Sequence, residues 1–120
     1  VTLVEHDLED RGSFPFAPAS FDGVIVTNYL WRPILSDIVA AVAPHGVLIY
    51  ETFRVGNERL GRPTDPAFLL RPGELLEAVA GRLNVVAFEE ALRTGPDRAV
   101  QRICAVGSLH HWNDMPPATG

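Results

Sequence analysis

Two short apolar runs, Val24-Ile25-Val26 and Val47-Leu48-Ile49-Tyr50, bracket a stretch of helical periodicity, and this arrangement constrains the chain more than any other feature. Each run is bounded by turn residues and is too short for a helix. Each therefore reads as a strand of a parallel sheet, buried on both faces. Between them Pro33 suits the start of a helix, and Ile34, Leu35, Ile38, Val39 and Val42 fall on one stripe at helical spacing. Pro44-His45-Gly46 ends that helix. Parallel strands need such a crossover, because a tight turn cannot join them.

The flanks extend the pattern. Val1-Thr2-Leu3-Val4 reads as an earlier strand ending at Glu5-His6-Asp7, and residues 8–20, with Gly12, Pro15 and Pro18, read as a connection. After Glu51 the rhythm breaks. Residues 52–70 hold Gly56, Gly61, Pro63 and Pro66 with Arg54, Arg59 and Arg62, and form a long connection of the kind that is often a functional loop or lid. Pro72-Gly73-Glu74 opens a second helix with Leu75, Leu76 and Val79 on its stripe, closed by Gly81. Residues 85–92 and 99–106 are two more strands. Their short link, Thr94-Gly95-Pro96-Asp97-Arg98, permits only an antiparallel hairpin. The expected class is α/β, with parallel strands and helical crossovers finished by a C-terminal antiparallel hairpin. Residues 108–120 are expected to be a polar, frayed tail.

Composition excludes several functions. All ten basic residues are Arg, so neither a phosphate loop ending in Gly-Lys nor a Schiff-base lysine exists in this sequence. The net charge of -5 argues against nucleic acid or an anionic membrane as partner. The single Cys104 sits in an apolar run and suits a reduced, cytoplasmic protein. No segment reaches the roughly 20 apolar residues that span a bilayer. His110-His111 near Asp114 is a poor metal site, because adjacent residues of a strand face opposite ways and no third ligand has useful spacing; no metal is expected.

The succession Asp7, Phe14-Pro15-Phe16, Phe21-Asp22-Gly23-Val24-Ile25-Val26 and Pro44-His45-Gly46-Val47-Leu48-Ile49 resembles the C-terminal part of class I S-adenosylmethionine-dependent methyltransferases, with their Rossmann-like fold. The stretches TNYLWRP, YETFRVGNERLGRPTDPAFLLRPGELL and AVQRICAV resemble a small bacterial subgroup of them. The resemblance covers residues 1–107. It departs from the family in lacking the glycine-rich loop and the acidic residue that holds the ribose. It implies methyl transfer to a small-molecule acceptor in the complete protein, with this chain incompetent alone. Two other readings stay open: half of a dinucleotide-binding oxidoreductase, or a non-catalytic remnant that serves as an interaction module. Oligomeric state is not legible. Lacking the family's first strands, Val1 to Val4 is expected to pair directly beside Val24 to Val26.

The resemblance also implies roles. Asp7 and the backbone of Leu8 would hold the adenine of S-adenosylmethionine, and Asn28 and Tyr29 would lie beside the reactive methyl group. The residues themselves agree on the location, because ligands of open α/β sheets bind beyond the carboxyl ends of the strands. Asn28 is equally suited to satisfying an ordinary turn. Trp31 and Arg32 suit a substrate pocket, with Arg32 as a bidentate partner for a carboxylate or phosphate, although Trp31 serves equally as packing. Glu51 ends the next strand, either as a base or as an ion-pair partner of Arg32 or Arg54. Arg54, Asn57 and Arg62 suit either an anion-recognising lid or a solvated loop.

Overall fold

A computed structural model describes residues 16–114. Four strands form one sheet: β1 (Phe21–Thr27), β2 (Val42–Phe53), β3 (Asn84–Arg93) and β4 (Arg98–Val106), in the order β1-β2-β4-β3. Helix α1 (Arg32–Ala40) joins β1 to β2, which run parallel, and α2 (Glu74–Val79) precedes β3. β4 pairs antiparallel with both β2 and β3, so the hairpin closes the sheet. The parallel unit and the hairpin are as the sequence pattern predicts. The expected strand Val1 to Val4 lies outside the described residues.

Burial alternates along the strands and assigns the two faces. Val24 and Val26 of β1 stand beside Leu48 and Tyr50 of β2, which stand beside Ala105 and Ile103 of β4. These side chains form one core with Ile34, Leu35, Ile38 and Val39 of α1 and with Leu75 and Val79 of α2. Both helices therefore cover the same face.

The other face departs from expectation. Ile25 and Ile49, paired across β1 and β2, are 65% and 43% exposed. An unbroken apolar run predicts burial on both sides, but among the described residues no helix lies over this face. Leu76 is likewise exposed, because α2 is short and turns Glu74, Leu75 and Val79 inward.

α1 also ends earlier than its stripe suggests. Ala41 closes the last turn by donating to the carbonyls of Asp37 and Ile38, and Val42 opens β2 while remaining buried. Pro44-His45-Gly46 lies within the strand and bulges it: Phe21 pairs with Val42, but Gly23 pairs with Val47. Gly46 makes the bulge feasible, since a Cβ there would lie 2.8 Å from the Phe21 carbonyl oxygen.

The segment after β2 is tied at both ends. The Leu70 N–H donates to Phe53 O, and the Val55 N–H to Leu70 O. Between them it makes two single-turn 3-10 helices, Asn57–Arg59 and Pro66–Phe68. Residues 115–120 of the tail expected to fray lie outside the described residues, and the part within them forms a turn at His111–Asp114. There the Asn113 amide donates to the carbonyls of Gly107, Ser108 and His110 and accepts from the Asn84 side chain. The rings of His110 and His111 stack at 4.4 Å rather than facing apart.

Candidate functional site

The site is built where the parallel strands end. β1 stops at Thr27, and Asn28 turns the chain with φ at 55°. That left-handed conformation is one Asn accepts more readily than most residues. Two hydrogen bonds from β2 pin the turn. The Asn28 N–H donates to Glu51 O at 2.9 Å, and the buried Tyr50 hydroxyl donates to Tyr29 O at 2.7 Å. Burial first, then the nearby Tyr29 and Glu74, push the Tyr50 phenol well above its ordinary range, so it stays a donor.

Beyond the turn lies a cavity of about 560 Å³, lined by Asn28, Tyr29, Leu30, Trp31, Thr52, Phe53, Pro63 and Phe68. Half of these residues are aromatic and none is charged. One wall comes from the β1–α1 turn, the floor from the end of β2, and the opposite wall from the long connection. The volume suits a small-molecule site.

Arg32 holds the opposite wall. Its Nε donates to Glu74 Oε2 at 2.8 Å, and its Nη2 donates to Glu74 Oε1 at 2.9 Å and to Leu69 O at 2.7 Å. Its Nη1 donates to Ala67 O at 3.1 Å and to Pro66 O at 3.3 Å. A guanidinium has five donors, and all five are engaged. The bidentate partner expected on a substrate is thus Glu74 of the same chain, and Arg32 does not line the cavity. Burial alone would raise the Glu74 carboxyl. The Arg32 bond, the Arg71 N–H and the charges of both arginines outweigh it, and the group is held below its ordinary range.

The other expected site residues separate. Trp31 lines the cavity with Asn28 and Tyr29. Glu51 faces the uncovered side of the sheet, in a second cavity with Thr27, Arg102 and Cys104, and its ion-pair partner is Arg93 at 3.8 Å, not Arg32 or Arg54. Arg54 pairs with Glu90 at 3.3 Å. Asn57 is buried and accepts from the Ala99 N–H, fastening the connection to β4. Arg62 is exposed, outside the cavity lining. None of these three residues lines the cavity. Asp7 and Leu8 lie outside the described residues.

Sequence reasoning missed Tyr50, Glu74 and Gln101. Gln101, fully buried, accepts from the Leu75 N–H and donates to Arg71 O and Glu90. A lone amide two residues before Ile103, on the inward side of a strand whose outward side is marked by Arg102, is the signal that would have found it. Among the described residues, no group of three or more His, Cys, Asp or Glu is gathered, and no helix is long and apolar enough to cross a membrane.

No protein-family model matches this sequence, and no curated protein matches it. Among solved structures, a SAM-dependent methyltransferase from Methanosarcina mazei matches with a TM-score of 0.57 at 17% identity. The two share a fold. The match covers 82% of this chain, and the chain spans 64% of the length of that methyltransferase. At this identity the likeness extends to the fold, a mixed α/β sheet of partial Rossmann-like form.

Proposed function

We propose that this chain forms the acceptor side of an S-adenosylmethionine-dependent methyltransferase acting on a small molecule. The observation that carries the reading is the aromatic cavity at the carboxyl ends of β1 and β2, with Asn28 and Tyr29 in its lining, in a fold shared with a solved methyltransferase. Bound S-adenosylmethionine would supply an electrophilic methyl group on a sulfonium sulfur that leaves as a neutral thioether. Asn28 offers an amide to orient the methionine end of the cofactor, and Tyr29 and Trp31 offer flat surface to align the acceptor. Asp7 and Leu8 are assigned to the adenine. The fit is partial, because the sequence contains no glycine-rich loop.

For Glu51 we favour the ion-pair role, since it faces Arg93 across the other side of the sheet. Glu51→Gln is then expected to change stability by less than about 1 kcal/mol and to leave the pH profile of methyl transfer unaltered. Loss of kcat with a shifted acidic limb would return Glu51 to the role of base.

The test is calorimetric titration of the complete gene product with S-adenosylhomocysteine and with NAD. Binding of the first and not the second is expected; the reverse would favour the oxidoreductase reading, and binding of neither a non-catalytic module. Titration of these 120 residues alone is expected to give no micromolar binding.

A further inference from the structure

We infer that Arg62 is the anion-binding residue at the rim of the cavity and that the acceptor carries an acidic group, a carboxylate or a phosphate; this rests on reading the cavity as the acceptor site. Arg62 is exposed and immediately precedes Pro63, which lines the cavity on the wall made by the long connection. Its planar fork matches a carboxylate or phosphate with two parallel hydrogen bonds. On the facing wall, the exposed Asn28 offers an amide that both donates and accepts, and so suits an uncharged heteroatom of the same ligand.

Availability singles Arg62 out. Arg32 has every N–H engaged with Glu74 and the carbonyls of residues 66, 67 and 69, and Arg54 is held by Glu90. Arg71, Arg93 and Arg102 also pair with carboxylates, and Arg82 and Arg98 donate to backbone carbonyls. Among the described arginines, Arg59 and Arg62 alone have neither an ion pair nor a side-chain hydrogen bond. Carboxylates stand near them in sequence but are turned to the backbone: Glu58 accepts from the Gly56 N–H and Asp65 from the Ala67 N–H. The backbone beneath Arg62 is fixed. The Leu60 and Gly61 N–H groups donate to Asn57 O, and the buried Asn57 amide accepts from the Ala99 N–H at 3.0 Å and donates to Pro63 O at 3.5 Å. Capturing an anion therefore orders one side chain and not a loop, which keeps the entropic cost low. Arg59 is the natural control, because it is exposed and unpaired like Arg62 but neither of its chain neighbours lines the cavity.

Three matched probes test this. The chain is titrated with benzoate, phenyl phosphate and benzamide at neutral pH and fixed ionic strength, and backbone amide shifts are followed by NMR. The ring is common to all three, so the differences read the acidic group. One anion or both are expected to bind about fivefold more tightly than benzamide, with the largest shifts at Gly61, Arg62, Thr64 and Asn28; the tighter anion names the acidic group. Arg62→Gln is expected to abolish the preference while the spectrum remains that of a folded chain. Arg59→Gln is expected to leave it within about twofold, since a screened, distant charge contributes little. Benzamide binding as tightly as both anions would overturn the inference, as would equal losses from the two variants, shifts centred elsewhere, or none with any probe. S-adenosylhomocysteine takes no part in this titration. An Arg62-dependent preference without S-adenosylhomocysteine binding by the complete gene product would therefore retire methyl transfer alone. Cofactor binding without that preference would retire this inference alone.

Discussion

Arg32 links three parts of the chain that lie far apart in sequence: the first turn of α1, the connection at residues 66–69 and Glu74 at the start of α2. Lysine keeps the charge but not the planar fork. Arg32→Lys is expected to lower the unfolding free energy by about 1–2 kcal/mol, and Arg32→Ala by about 3 kcal/mol because it leaves Glu74 buried and unpaired; urea denaturation measures both. Tyr50→Phe strips Tyr29 O of its donor and is expected to cost about 1–2 kcal/mol by the same assay. Glu74 adds a pH dependence. Its carboxyl is held below the ordinary 4.5 in the folded chain, so the unfolded chain binds that proton more tightly. The stabilisation is present in full above the unfolded value and is lost as pH falls through the folded one. Urea midpoints taken downward from about pH 6 should therefore fall below about pH 4.5, and Glu74→Gln should flatten that part of the curve.

At the scale of elements, the bulged start of β2 and the end of β4 are fitted to one another. The Gly107 N–H donates to Gly46 O, and the Leu109 N–H to Pro44 O. A Cβ on Gly107 would lie 2.3 Å from Pro44 O and 2.5 Å from Ala43 O, both fixed backbone atoms. Gly107→Ala is expected to destabilise by about 2–3 kcal/mol, by the overpacking mechanism. Gly23 is the control: a Cβ there meets nothing within 4 Å, and Gly23→Ala is expected to change stability by less than about 1 kcal/mol. Thermal melts of the two variants separate close approach from a general effect of adding a methyl group. The same fitting explains why α1 stops before Val42. That residue has the right spacing for the helical stripe, yet its partner is Phe21 across the sheet, and a pairing partner outside the window is invisible to periodicity.

For the whole molecule, the sheet has one face under helices and one without cover among the described residues. Ile25 and Ile49 stand on the second face beside half-buried Cys104. Ile25 remains mostly in water and Ile49 is 43% exposed, so Ile25→Thr with Ile49→Thr is expected to lower the unfolding free energy by no more than about 2 kcal/mol. The same pair should reduce light scattering at high protein concentration, because it removes contiguous exposed apolar surface. A large loss of stability would mean that this face is covered in the folded chain.

Local pattern alone determined the strand–helix–strand unit, the short hairpin and the turn beyond Thr27 that borders the cavity. Each depends on residues within one window, where 3.6- and 2-residue periods and turn residues speak directly. Tertiary structure decided which polar groups the site has to offer. Arg32 reads as a free cation until Glu74, 42 residues on, takes its fork. Glu51 reads as a neighbour of Asn28, and its backbone is, but strand alternation turns its side chain to the other face. Ile25 reads as doubly buried until both helices pack on one side. Hydrogen-bond partners and sheet faces are set by contacts between distant segments, and such contacts exist only once the chain has folded.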